Sequence, residues 1–204
     1  MKQILLLILF CTGIISCKAQ IIEEPIYSSE NYGEDGYYFK DTDNDFNQFE
    51  GTWIYTNGID SLEIQFEKKT MMHVQDSSFN YYEDAIVGEY RFIENGVEIV
   101  NTLPNLQDNY SSPYSYNISG GSIHKYGDPR CGNLCNPNDI VVICTFADPE
   151  REISGMEATF YMRHFLDDGV EKLEVYLSSG GNLDADNEYF NFRLPFGEYL
   201  LVKQ

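Results

Sequence analysis

Three cysteines stand where they could form a bond or hold a metal. Cys131 and Cys135 bracket Gly132-Asn133-Leu134 in a loop between Pro129 and Pro137, and Cys144 follows in an apolar run. A bridge between Cys131 and Cys135 would staple that loop, and three thiols allow three single-bridge pairings with one thiol left over. Cys144 shares a face with Val142 and Phe146, the setting of a buried small hydrophobe. Adding His124 to the thiols gives spacings of seven, four and nine residues, which match no familiar zinc module, so no metal site and no cofactor is expected. A cysteine nucleophile would need a paired histidine, and nothing in the spacing pairs them.

Carboxylates come next. Asp41-x-Asp43-x-Asp45 begins as a calcium loop does, since alternate oxygens can face one cation. The pattern then fails, with Phe46 where a glycine must turn the chain and Thr52 where a bidentate Glu is needed. Asp184-x-Asp186-x-Glu188 fails similarly, and both runs read as solvated acidic faces. The adjacent pairs Glu83-Asp84 and Asp167-Asp168 could be imagined as glycosidase acids, but neighbouring turn carboxylates are normally solvated. His73, His124 and His164 lie far apart. His164 continues the face of Met156, Ala158, Phe160 and Met162 and reads as a barrel-wall or rim residue. No Gly-x-Ser-x-Gly, His-Glu-x-x-His, phosphate-cradling Gly loop or dinucleotide fingerprint occurs, and no catalytic residue is assigned.

The elements that must position these groups are strands. In Ser61–Lys68, Leu62, Ile64 and Phe66 alternate with Glu63, Gln65 and Glu67. Asn57-Gly58 is a hairpin signal between this run and Gly51–Thr56. Asn95-Gly96 joins Asp84–Ile93 to Val97–Thr102, and Asp167-Asp168-Gly169 joins Met156–Phe165 to Val170–Ser178. Further strands are expected at Met71–Gln75, Tyr114–Ile118, Ser122–Tyr126, Ile140–Phe146 and Tyr199–Lys203, with Gly120-Gly121 and Gly180-Gly181 as turns. About ten strands joined by local turns predict an all-β antiparallel meander, most stable when closed into a barrel without edges; a two-sheet sandwich is the competitor. Tyr37, Tyr38, Phe39, Tyr81, Tyr82, Tyr110, Tyr114, Tyr116, Phe190 and Phe192 fall partly in segments that read as loops or rims. Such a mouth would hold a small apolar or amphipathic ligand, whereas the same residues also fill strands and cores.

The chain is strongly acidic, with 33 Asp and Glu against 13 Lys and Arg among 204 residues and a formal charge of −20. That excludes nucleic acid as a partner. Its 43% hydrophobic content excludes a disordered acidic tail. Met1-Lys2 followed by the apolar run from Ile4 to Phe10 is a secretory leader, too short to span a bilayer. Ile14-Ile15-Ser16-Cys17 resembles the bacterial lipobox, which implies acylation of Cys17 and a membrane partner through that anchor. Lys18 after the cysteine points to the outer membrane of a two-membrane bacterium. The expected domains are thus a leader over residues 1–16, an anchor and solvated acidic tether over 17–48, and a barrel over 49–204.

Phe49-Glu50-Gly51-Thr52-Trp53 resembles the opening strand of lipocalin-like barrels, in which the Trp of a Gly-x-Trp plugs the floor; Arg193 or Lys203 could supply its basic partner. The Thr-Asp-x-x-Tyr segment of those barrels is absent. A longer likeness runs through the lipobox, Tyr38-Phe39-Lys40-Asp41-Thr42, Gly51–Gly58, Asp148-Pro149-Glu150-Arg151 and the terminal Leu201-Val202-Lys203-Gln204. It resembles a family of uncharacterised small bacterial lipoproteins. The resemblance implies an envelope location and a lipocalin-like barrel, and it brings no activity. The expected role is non-enzymatic, holding a small apolar ligand in the barrel, with a packed structural or interaction barrel and an envelope hydrolase as the alternatives.

Overall fold

The computed structural model describes residues 21–204 except 28, 129–130, 132–135 and 138. Two short strands come first, β1 (Ile22–Pro25) and β2 (Tyr37–Lys40). The meander follows with β3 (Gly51–Asn57), β4 (Asp60–Gln75), β5 (Asn80–Glu94) and β6 (Val97–Asn101). It continues through β7 (Ile118–Lys125), β8 (Ile140–Phe146), β9 (Met156–Asp167), β10 (Val170–Gly181) and β11 (Gly197–Lys203). Eight of these close a ring of antiparallel pairs in the order β3, β4, β5, β7, β8, β9, β10, β11 and back to β3. The fold is the expected all-β, lipocalin-like barrel.

Period-two patterning explains the walls. Leu62, Ile64 and Phe66 of β4 are almost fully shielded while the acids between them lie outside, and Leu173, Val175 and Leu177 of β10 repeat the arrangement. The three hairpins fall where expected. Asn95-Gly96 and Asp168-Gly169 both carry positive φ at both positions (52° and 76°, 49° and 80°), the geometry that matches strand twist. In the first hairpin Gly58 and Ile59 form the turn, because Asn57 already pairs with Asp60.

Two ring joints are narrow. The joint between β11 and β3 consists of Val202 opposite Ile54 and Lys203 opposite Trp53, extended by Gln204 N–H donating to the Thr52 carbonyl at 2.9 Å. The joint between β5 and β7 runs only from Ile86–Gly120 to Gly88–Ile118. The rest of that β5 edge is taken by β2, parallel at Tyr82 and Glu83, and by β6 from Arg91 to Glu94.

Several expectations are corrected. Ser61–Lys68 and Met71–Gln75 are one strand, bent by a bulge at Met71 (φ 54°) whose N–H donates to Asp84 Oδ1 at 3.1 Å. Gly120-Gly121 lies inside β7, where a Cβ at Gly120 would stand 2.7 Å from the Ile143 carbonyl; the glycines admit a neighbouring backbone rather than a turn. Gly180-Gly181 likewise ends β10 within its ladder. Tyr114 and Ser115, expected to begin a strand, fall in a 3-10 turn opened by Pro113, and the strand begins at Ile118.

The segment expected to be a solvated tether is folded onto the barrel from Ile22. Phe39 and Phe46 are wholly buried there, and burying each stabilises by about 1.5–3 kcal/mol, which outweighs the self-repulsion of its acids. Three of those acids, Asp41, Asp43 and Asp45, are matched. Asp41 accepts the Asp45 and Phe46 N–H groups at 2.8 and 3.0 Å and pairs with Lys68 at 2.8 Å, while Asp43 and Asp45 each meet Lys125 at 2.8 Å.

Candidate functional site

The barrel interior is occupied by its own side chains. Phe66 lies over Gly88, where a Cβ would stand only 2.5 Å from the ring, and its centroid is 6.4 Å from that of Phe160. Phe146 stacks on Phe160 at 6.0 Å and meets Tyr90 at 5.0 Å, and all four rings are almost fully shielded. Of the aromatics read as a binding mouth, Tyr38, Phe39, Tyr81, Tyr116 and Phe192 are buried. The expectation of an apolar ligand in the barrel therefore meets a filled core.

Trp53 is fully buried, with its indole N–H donating to the Phe49 carbonyl at 2.8 Å. Lys203 lies 5.2 Å over its ring, so Lys203 and not Arg193 is its basic partner. Lys203 bonds Glu171 at 2.7 Å, Glu171 meets His164 Nε2 at 3.1 Å, and His164 Nδ1 reaches Gln48 Oε1 at 3.1 Å. His164 is thus a wall residue in a polar chain that ties β9, β10 and β11 to the segment before β3. Arg193 instead forks onto buried Asp148 (2.5 Å from Nη2) and reaches Glu150 at 2.7 Å.

Reactive polar groups gather around β5 and β7. Glu83 and Asp84, expected to be solvated, are both buried. Asp84 is saturated by the Tyr38 hydroxyl at 2.6 Å, the Asp41 N–H at 3.0 Å and the Met71 N–H. Among the described residues no cation meets Glu83. The Tyr32 hydroxyl donates to its Oε2 at 2.5 Å and the Tyr114 phenol stands beside it, while burial pushes the carboxyl up to about 7. Burial and the carboxylate together push both phenols well above the ordinary tyrosine range. Tyr32 and Tyr114 border a cleft of about 260 Å³ with Gly120, Gly121, Ser122 and Thr145.

At the edge of that cleft stands a serine–histidine–aspartate chain. His124 is 1% exposed; its Nδ1 lies 2.7 Å from Asp128 Oδ2 and its Nε2 lies 2.9 Å from Ser122 Oγ. With the Nδ1 proton donated to Asp128, Nε2 accepts from the exposed Ser122 hydroxyl, the order of roles that activates a serine. Strand alternation puts Ser122 and His124 on one face, and the turn after Lys125 returns Asp128 to them. Sequence reading missed this because the three residues match no named motif; the signal that could have found it is the i, i+2 spacing of Ser122 and His124 within a strand.

Cys131 is buried and disulfide-bonded, and Cys144 is a free, buried thiol whose pKa burial pushes up. Cys135 and Cys17 lie outside the described residues. Among the described residues no three His, Cys, Asp or Glu side chains gather as a metal site.

A larger groove, about 620 Å³, lies on the outer face of β9, β10 and β11 between Tyr161, Arg163, Glu174, Tyr176 and Glu198. These residues alternate with the core-facing Phe160, Met162, Leu173, Val175 and Leu177, which places the groove outside the barrel. No curated protein and no solved structure matches the chain. The family model matches residues 1–204, and the chain belongs to DUF6705, a family of unknown function.

Proposed function

We propose that the protein is a lipid-anchored component of the bacterial cell envelope, held at the outer membrane by acylated Cys17, whose barrel acts through its outer surface as a non-enzymatic module. The leader and the Ile14-Ile15-Ser16-Cys17 run support the anchor. The observation that carries the rest is the filled interior: Trp53, Tyr90, Phe66, Phe160 and Met162 occupy the volume in which a carrier of apolar cargo would hold it. This favours the packed interaction barrel over the ligand-holding one. Metabolic labelling with a tritiated fatty acid should mark the wild-type chain and leave Cys17→Ser unmarked. Native mass spectrometry of the full chain should then give polypeptide plus acyl groups alone. A retained additional small molecule would overturn the packed-module reading.

The Ser122–His124–Asp128 chain favours a second reading, an envelope hydrolase acting on a small ester. In it Ser122 Oγ attacks the acyl carbon, its proton passes to His124 Nε2 and leaves with the alcohol as the ester C–O bond breaks, and a water deprotonated by His124 then displaces the acid from Ser122, which regains its proton. A fluorophosphonate adduct on Ser122, absent from His124→Ala, would establish this reading. Full-length protein that stays unlabelled after long exposure would remove it.

A further inference from the structure

The folded strap changes where an anchored barrel can stand. Only Lys18, Ala19 and Gln20 separate Cys17 from Ile21, so even a fully extended chain keeps Ile21 within about 15 Å, and the start of β1 within about 18 Å, of an acylated cysteine. Large apolar side chains are exposed around that point. Ile21 and Ile22 are 36% and 50% exposed, Tyr32 46%, Phe79 45% and Tyr114 51%. They form one neighbourhood. Ile22 N–H donates to the Gly36 carbonyl and Gly36 N–H to the Asn80 carbonyl, each at 3.2 Å, which sets Phe79 beside the start of β1. Phe79 lies against Gly33 and meets Tyr81 at 6.1 Å, Tyr81 meets Tyr32 at 5.7 Å, and Tyr32 and Tyr114 share the cleft beside Glu83.

From this placement we infer that the Ile21, Ile22, Tyr32, Phe79 and Tyr114 patch is a membrane-facing surface that rests on the lipid headgroups beside the anchor. The inference rests on the proposed acylation of Cys17. Tyrosine suits that depth, with a ring for the acyl boundary and a hydroxyl for a polar partner. Here the Tyr32 and Tyr114 hydroxyls turn inward to Glu83, leaving ring surface outward. The anchor supplies the affinity, since a surface held this close meets the bilayer at high effective concentration and needs little binding energy of its own. Glu30, Glu34 and Asp35 are exposed in the same turn, so the surface is matched to zwitterionic lipid and repelled by anionic lipid.

The test uses the acylated full-length protein reconstituted into phosphatidylcholine vesicles whose acyl chains are brominated near the headgroup. Phe79→Trp reports on the patch. Tyr176→Trp reports on β10, four strands from β5 in either direction around the ring. Trp53, buried in both, is a common background. Phe79→Trp should lose emission in brominated relative to plain vesicles, and Tyr176→Trp should not. Equal emission from Phe79→Trp in both vesicles, with the protein floating and Cys17 acylated by mass, would overturn the patch and leave the anchor standing. The same holds if that patch is instead covered by a second copy and the protein sediments as a dimer. A Cys17 peptide without acyl mass would remove the anchor, and this inference with it.

Discussion

Glu83 is the place where the barrel's stability is tied most directly to pH. Its carboxyl is fully shielded, and burial lifts it from 4.5 to about 7. Between those values the folded protein keeps a proton that the unfolded chain has released, so stability falls as pH rises. At about 1.4 kcal/mol per pH unit, about 3.5 kcal/mol is lost between pH 4.5 and 7, with nothing further lost above. Glu83→Gln keeps an acceptor for the Tyr32 hydroxyl and cannot ionise. Urea unfolding of both proteins, followed by Trp53 emission, reads the comparison across that range. Relative to wild type, the variant should gain about 1.4 kcal/mol per pH unit through the window and level off near neutrality. Glu89, whose carboxyl burial also raises, adds the same slope to both proteins and cancels in the difference. A difference between the two that stays flat with pH would refute the reasoning, because it would mean that the ionised carboxylate is as well matched as the neutral acid.

Other tests probe the frame. Arg193→Met strips the guanidinium from buried Asp148 and should destabilise by about 3–5 kcal/mol, seen as a lower urea midpoint, with Asp148→Asn recovering part of the loss. Gly88→Ala forces a methyl to 2.5 Å from Phe66 and should destabilise by about 1–3 kcal/mol, less in a Phe66→Leu background; an equal loss in both would separate the two positions. If Cys131 pairs with Cys135, thiol titration of the acylated protein in denaturant without reductant should find one free thiol, Cys144, and that thiol should be unreactive while folded.

Much of the barrel was legible because its strands carry strict alternation and its hairpins carry Asn-Gly or Asp-Gly turns, both local signals. The strap was misread for the opposite reason. Residues 22–48 have short strands, many acids and no sustained period, and what fixes them is distant: Lys68 and Lys125 on β4 and β7, and the edge of β5. Glu83-Asp84 was misread likewise, since nothing in the local sequence tells that Tyr32 and Tyr38 come to cover the two acids. Paired glycines read as turns from sequence because their tolerance of positive φ is a local property, whereas the close strand approach that demands Gly120 is set by Ile143 on the next strand. The Trp53 partner was narrowed to two cations by charge alone, and only the ring closure of β11 on β3 chose Lys203.

That closure also orders events in the life of the chain. The hydrogen bonds that join the first barrel strand to the last are carried by residues 202–204. A ribosome still translating β11 therefore holds a polypeptide whose ring is open, with the seam edge of β3 unpaired. Until those residues have emerged the seam edge of β3 has no partner, so the ring closes only after the other barrel strands have been made. A tag fused directly after Gln204 would crowd the seam, while a chain ending before Val202 would expose the edge of β3 to pairing with other chains.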